Sequence, residues 1–340
     1  MNTTESKNPA IEFFRFAFIG VIVLWHFNNI VPIFQCGDFA VDFFFILAGA
    51  MLYRSYLVHP GQEPVKYSFK RIRRIIIEWV LTLIPVFIIK FRDWLFINGH
   101  LNTDNLFEYL LKFIHELLFL GQTGLYHGTS NYASWFISVL IIGGFILYAA
   151  LFYFKDKSAV LLFPVFSLLS MIFVFSDGFP GWEVRGCFDL QFLKGTAEMA
   201  LGATTYHIAE RYQHRLNLRR HVVDFISICA IVFMVALLFN DRKFAPYSIL
   251  FSTLILVGCL TDESLITKAF SKTRKLWITL GGVSFEMLLI HGLVKPAVSF
   301  AGIGNLPPVI STVLYFLLVI ASAFGLKWIN GKLSPLIFSK

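Results

Sequence analysis

The chain has 340 residues, of which 57% are hydrophobic, 17% aromatic and 15% charged, and phenylalanine alone fills 39 positions. A soluble domain averages about 25% charged residues; no water-soluble fold of this size hides so much apolar surface, whereas a bilayer solvates it. The net charge of +8 does not point to nucleic acid, because the basic residues sit in short loops between apolar runs, where the positive-inside rule puts them.

A transmembrane helix needs about 20 apolar residues. Taken in chain order, the apolar runs predict helices over 11–32, 39–57, 72–91, 133–154, 159–176, 190–208, 222–240, 246–260, 276–294 and 308–330. The first run is long enough to span, and its flank lacks the basic stretch of a cleavable leader. The eighth is the shortest. The stretch 105–121 carries Glu108, Lys112, His115 and Glu116 among leucines and phenylalanines, the pattern of an interfacial amphipathic helix. The expected fold is therefore all-α: a polytopic transmembrane helical bundle of about ten helices. It forms one domain over 1–340 with no soluble C-terminal domain. With the N-terminus in the cytoplasm, the inner segments hold 20 Lys and Arg residues and the outer segments 7, while Arg15 and Lys194 lie inside spans. That bias places both termini in the cytoplasm. Of the four cysteines, Cys36 and Cys187 fall in outer segments, where an oxidising compartment permits a bridge. None has metal-ligand spacing, so no metal is expected.

A charge at the centre of a spanning helix costs roughly 2.5–3.5 kcal/mol on insertion scales, so each one is a functional candidate. The first helix carries Glu12, Arg15 and His26. Arg15 and His26 are eleven residues apart, which is three turns, so both project from one face about 16 Å apart along the axis. Glu12 precedes Arg15 by three and shares its side. Counting depth from the helix ends brings Asp42 and His291 to a depth similar to that of His26. A carboxylate beside two imidazoles suits a cluster in which the carboxylate orients a histidine base. Glu286 and Glu198 fall near mid-membrane. On the third helix Arg71 and Arg74 share a face, with Glu78 one turn beyond Arg74. Two guanidinium groups at the cytoplasmic mouth suit a phosphate-bearing donor.

Five segments in order carry a resemblance. They are Glu12-Phe13-Phe14-Arg15 followed by His26; Asp42-Phe43-Phe44 through Ala48-Gly49; Arg71 and Arg74; Ser134-Trp135-Phe136-Ile137-Ser138; and Gly282-Val283-Ser284-Phe285 followed by His291. Together they resemble the acyltransferase-3 family of membrane acyltransferases over essentially the whole chain. Ala48 stands where that family has serine, and Phe285 and Leu288 replace its tyrosines. The resemblance implies a cytoplasmic acyl-CoA donor, usually acetyl-CoA. It implies an acceptor hydroxyl on a glycan or lipid-linked sugar at the outer side of a bacterial plasma membrane. Carried over by position, His26, Arg15, Glu12, Asp42 and His291 are the catalytic candidates, and Arg71, Arg74 and Arg15 the donor-binding ones.

Two other readings place charges in a membrane. A transporter or flippase of a lipid-linked sugar or acyl donor also lines a central path with them, but the paired broken helices expected of one are not evident in the sequence. An inactive CoA-binding relative accords with the missing serine at position 48. Turnover of acetyl-CoA separates both from an enzyme.

Overall fold

The computed structural model describes residues 7–27, 32–97, 100–101, 106–125, 131, 133–176, 183–185 and 188–338. Helices form at each of the ten expected places. In order they are α1 (Pro9–His26), α2 (Ala40–Val58), α3 (Pro64–Leu95), α4 (Leu106–Leu117), α5 (Ser134–Ser138) continuing through a π turn into α6 (Gly144–Phe154), α7 (Phe163–Phe175) and α8 (Leu190–Arg211). Then come α9 (Gln213–Leu218), α10 (Arg220–Leu237), α11 (Ala245–Leu260), α12 (Leu265–Ser271), α13 (Arg274–Gly281), α14 (Ser284–Phe300) and α15 (Pro308–Phe338). The described strands are two hairpins, Phe96–Ile97 with His100–Leu101 and Val184–Arg185 with Phe188–Asp189.

Seven of the described helical segments are long and apolar enough to cross a membrane, or eight if the bent pair α13–α14 is one span. The two expected spans outside that count are α3 and α8. Their apolar stretches are interrupted by Glu78 and Lys90, and by Lys194, Glu198 and His207. Helix α4 lies inside the stretch read as amphipathic, although its Glu116 is buried.

The chain divides into two compact units. One comprises residues up to 61, 150–179 and 197–285; the other comprises 62–149, 180–196 and 286 onward. In the first unit, α1 packs against α2, α12 and α13, and α11 against α2 and α10. Asn8 starts α1: its Oδ1 accepts from the Ala10 and Ile11 amides, at 2.9 and 3.3 Å, with Pro9 at the first helical position. Its Nδ2 donates to Cys259 O at 2.7 Å, tying the start of α1 to the end of α11. Helices α2 and α8 meet backbone to backbone. A Cβ added to Gly49 would stand 1.7 Å from Met199 O, and one added to Gly202 1.8 Å from Ile46 O. Small residues permit such crossings where lipid supplies no hydrophobic drive between helices.

In the second unit, α3 packs against α4 and α15. Ser134, which opens α5, donates from its hydroxyl to Glu116 Oε1 at 3.0 Å, so the serine at the head of that segment holds a buried carboxylate.

Candidate functional site

Helix α1 is unbroken from Pro9 to His26, so Arg15 and His26 do share a face. Arg15 Nη1 donates to both oxygens of Glu12 at 3.0 Å. Glu12 is buried and sits in the first helical turn, where the positive end of the helix dipole favours a carboxylate. The pairing fixes the guanidinium in the first half of α1 and leaves it partly exposed. Gly281, the last residue of α13, makes room for this arrangement: a Cβ there would lie 2.3 Å from Glu12 O and 2.6 Å from Glu12 Oε2.

His26 is the last residue of α1, not a residue two turns inside a helix reaching 32. The Phe27 amide turns back to Leu24 O at 3.0 Å, which tightens the final turn and ends the helix. The His26 Nδ1 lies 2.8 Å from Ile22 O. A carbonyl only accepts, so Nδ1 carries the hydrogen, and in the neutral ring the basic lone pair sits on Nε2. The preceding residue, Trp25, is clamped: a Cβ on Gly37 would stand 2.2 Å from Trp25 Cβ. The guanidinium of Arg242 lies 5.9 Å from the Trp25 ring centroid and reaches Asp38 at 3.8 Å. The amides of Gln35 and Cys36 both donate to Leu238 O. The segments following α1 and α10 are therefore stitched together beside His26. The Cys36 thiol donates to Asn240 O at 3.1 Å and Cys36 is free; Cys187, its expected partner, lies outside the described residues.

Asp42 is buried in the first turn of α2 and accepts a hydrogen bond from the Ser248 hydroxyl of α11. Its depth differs from the expected one. The neighbouring Phe43 ring packs on Phe18 and Phe14, with centroids 4.9 and 6.0 Å away, so Asp42 is level with the middle of α1. That is about 10 Å from His26 along the axis, toward the start of α1. The expectation of similar depth ran α1 on to residue 32, whereas the helix ends at His26. His291, fully buried, is the eighth residue of α14 rather than the sixteenth of one straight helix, because the chain breaks at Gly282–Val283. Its Nδ1 donates to Leu288 O at 2.6 Å.

In the second unit α3 starts at Pro64, not at 72, so the three arginines lie about two turns inside it, and they have different surroundings. Arg71 Nη1 donates to the Tyr67 hydroxyl at 3.1 Å, and Tyr67 stacks on Tyr148 with centroids 3.9 Å apart. Arg73 bonds Phe338 O and lies 4.6 Å from the Phe338 ring centroid, which anchors the end of α15. Arg74 is exposed. One turn on, the buried Glu78 accepts from Asn330 Nδ2 at 2.6 Å, and Glu286 pairs with Lys327 at 3.7 Å. Helix α15 thus supplies polar partners to two intramembrane carboxylates. Tyr67, Asn330, Ser248 and Gly281 were not singled out in the sequence. Among them only Tyr67, four residues before Arg71, had a local signal.

Chemically, these residues offer a guanidinium held by its own carboxylate, an imidazole with its base nitrogen fixed, and cations about two turns into a third helix. A family model described as an acyltransferase domain, the third of its name, matches residues 8–329. The chain belongs to that acyltransferase family and is an integral membrane enzyme transferring acyl groups other than aminoacyl groups. No curated protein and no solved structure matches it.

Proposed function

We propose that this acyltransferase moves an acyl group, acetyl in the first instance, from cytoplasmic acyl-CoA to a hydroxyl of a cell-envelope carbohydrate or lipid-linked sugar. The observation that carries the reading is α1: one uninterrupted helix with a paired guanidinium near one end and an imidazole at the other. The roughly 16 Å between them suits a donor whose phosphates and thioester lie at opposite ends of a long arm. In this reading the candidates for holding phosphates of CoA are Arg15 in the first unit and Arg71 and Arg74 in the second, since forked guanidinium donors match phosphate oxygens.

His26 Nε2 then takes the proton of the acceptor hydroxyl as its oxygen attacks the thioester carbonyl. The carbon–sulfur bond breaks, and the thiolate leaves and takes up a proton, so an ester and free CoA result. Glu12 positions Arg15. Asp42, bonded by the Ser248 hydroxyl, ties α2 to α11, and His291 is a further candidate imidazole in the second unit. The 20-to-7 distribution of Lys and Arg supports a cytoplasmic location for both termini, with the donor side inward, in a bacterial plasma membrane.

The test is transfer of label from radioactive acetyl-CoA to envelope glycan in membranes carrying the wild-type chain or His26→Ala. The reading requires a glycan heavier by one acetyl group with wild type and none with the variant. Equal labelling by both would overturn it.

A further inference from the structure

The first unit contains a groove that the proposed reaction does not use. It has a volume of about 590 Å³ and is lined by α9, α10 and α11. Arg215 and Arg219 stand at one end; Val222, Ile226, Leu254 and Val257 are among its apolar walls. Ser227 is its polar wall residue away from the entrance, and its hydroxyl already donates to Leu254 O at 3.2 Å. The interior therefore asks for hydrocarbon, not for a sugar or a peptide backbone. From Arg219 to Ser227 the groove follows α10 for about 12 Å. Helix α10 is long and apolar enough to cross a membrane, so a bilayer would lie against the helix that forms this wall of the groove.

The entrance is cationic. Arg211, His214, Arg215, Arg219, Arg220 and His221 crowd the join between α8 and α10. Arg220 is engaged by Glu263 at 3.7 Å, and that carboxylate also takes Lys268 at 2.7 Å. The nearby Asp224 accepts from the Leu265 amide at 2.7 Å. Arg215 lies over the Tyr212 ring at 5.4 Å. Among the described residues no carboxylate lies within ion-pair reach of Arg215 or Arg219. Both side chains are exposed.

From this we infer a binding site for one anionic glycerophospholipid, its phosphate on Arg215 and Arg219 and one acyl chain along α10 and α11. A cation pair at the mouth of a hydrocarbon-lined groove complements that molecule at both ends, and juxtamembrane basic clusters attract anionic lipid.

The test uses the full chain, purified and stripped of lipid, titrated in native mass spectrometry with phosphatidylglycerol, phosphatidylcholine or glycerol 3-phosphate. One phosphatidylglycerol per chain is expected, with binding about 30-fold weaker in Arg215→Ala/Arg219→Ala. Val222→Trp keeps both arginines and fills the groove, so it should also abolish retention. Phosphatidylcholine binding as tightly as phosphatidylglycerol would refute the charge assignment. Glycerol 3-phosphate binding as tightly as the lipid would make this a soluble-phosphate site and refute the hydrocarbon assignment. Wild-type retention by a folded Val222→Trp would remove the groove.

Discussion

Gly281→Ala tests the site without touching a proposed reacting group. The added methyl would stand 2.3 Å from Glu12 O, 2.6 Å from Glu12 Oε2 and 2.7 Å from Glu12 Cα. Two of those atoms are backbone, so a side-chain rotation cannot relieve the contact, and α13 or the start of α1 must move by about 1 Å. Overpacking of this kind costs about 1–3 kcal/mol, small enough for the chain to remain folded. Displacing Glu12 carries Arg15 with it, since both carboxylate oxygens hold Nη1. A displacement of that size in a positioning group lowers turnover by about 10²-fold. The assay is acyl transfer from labelled acetyl-CoA, normalised to folded protein by size-exclusion fluorescence. Gly325→Ala is the control, because nothing lies within 4 Å of a Cβ there; in a helix interior that change should be neutral or slightly stabilising. Wild-type turnover in Gly281→Ala would show that the Glu12–Arg15 geometry does not limit the reaction.

Four further outcomes are expected. His26→Ala should lower transfer by about 10²–10⁴-fold with unchanged expression, checked by rate measurements on equal amounts of folded protein. Tyr67→Phe frees Arg71 and should weaken CoA binding about fivefold; Arg71→Ala/Arg74→Ala should weaken it more, and Lys275→Ala should not, as read by isothermal titration. Gly49→Ala puts a carbon 1.7 Å from Met199 O and should cost about 3 kcal/mol, seen as a lower melting temperature whether or not substrate is present. A fluorescent protein fused after Lys340 should glow and a phosphatase fused there should stay inactive; the reverse would place the C-terminus outside and undo the proposed direction of transfer.

What depends on local spacing was legible in the sequence. Apolar runs marked the ten long helices but not the short α9 and α12, and the three-residue step from Glu12 to Arg15 was enough to pair them. The eleven-residue step to His26 put the two on one face for the same reason. What depends on how distant segments approach was not. Ser248 is 206 positions from Asp42 and Asn330 is 252 from Glu78, and no pattern around either announces its partner. Gly281 reads as an ordinary helix end until Glu12 is placed against it. Depth was the least legible quantity: ending α1 six residues early moved His26 to the helix end, and a break at Gly282–Val283 undid the count to His291. Helix ends are set by capping and by neighbouring segments as much as by composition.

The α2–α8 crossing restricts which motions can accompany a reaction cycle. Gly49 faces Met199 and Ile46 faces Gly202, so the two contacts run in opposite chain directions, three residues apart on each helix. Sliding either helix by one turn, about 5.4 Å, would carry a side chain into a carbonyl that now faces bare Cα. The crossing is thus a locked gear, with one register in which the teeth mesh. Piston strokes of α2 past α8 are closed to this protein, and any displacement of one must carry the other as a single body. Within this unit, α2 and α8 together form one wall that moves as a whole or not at all.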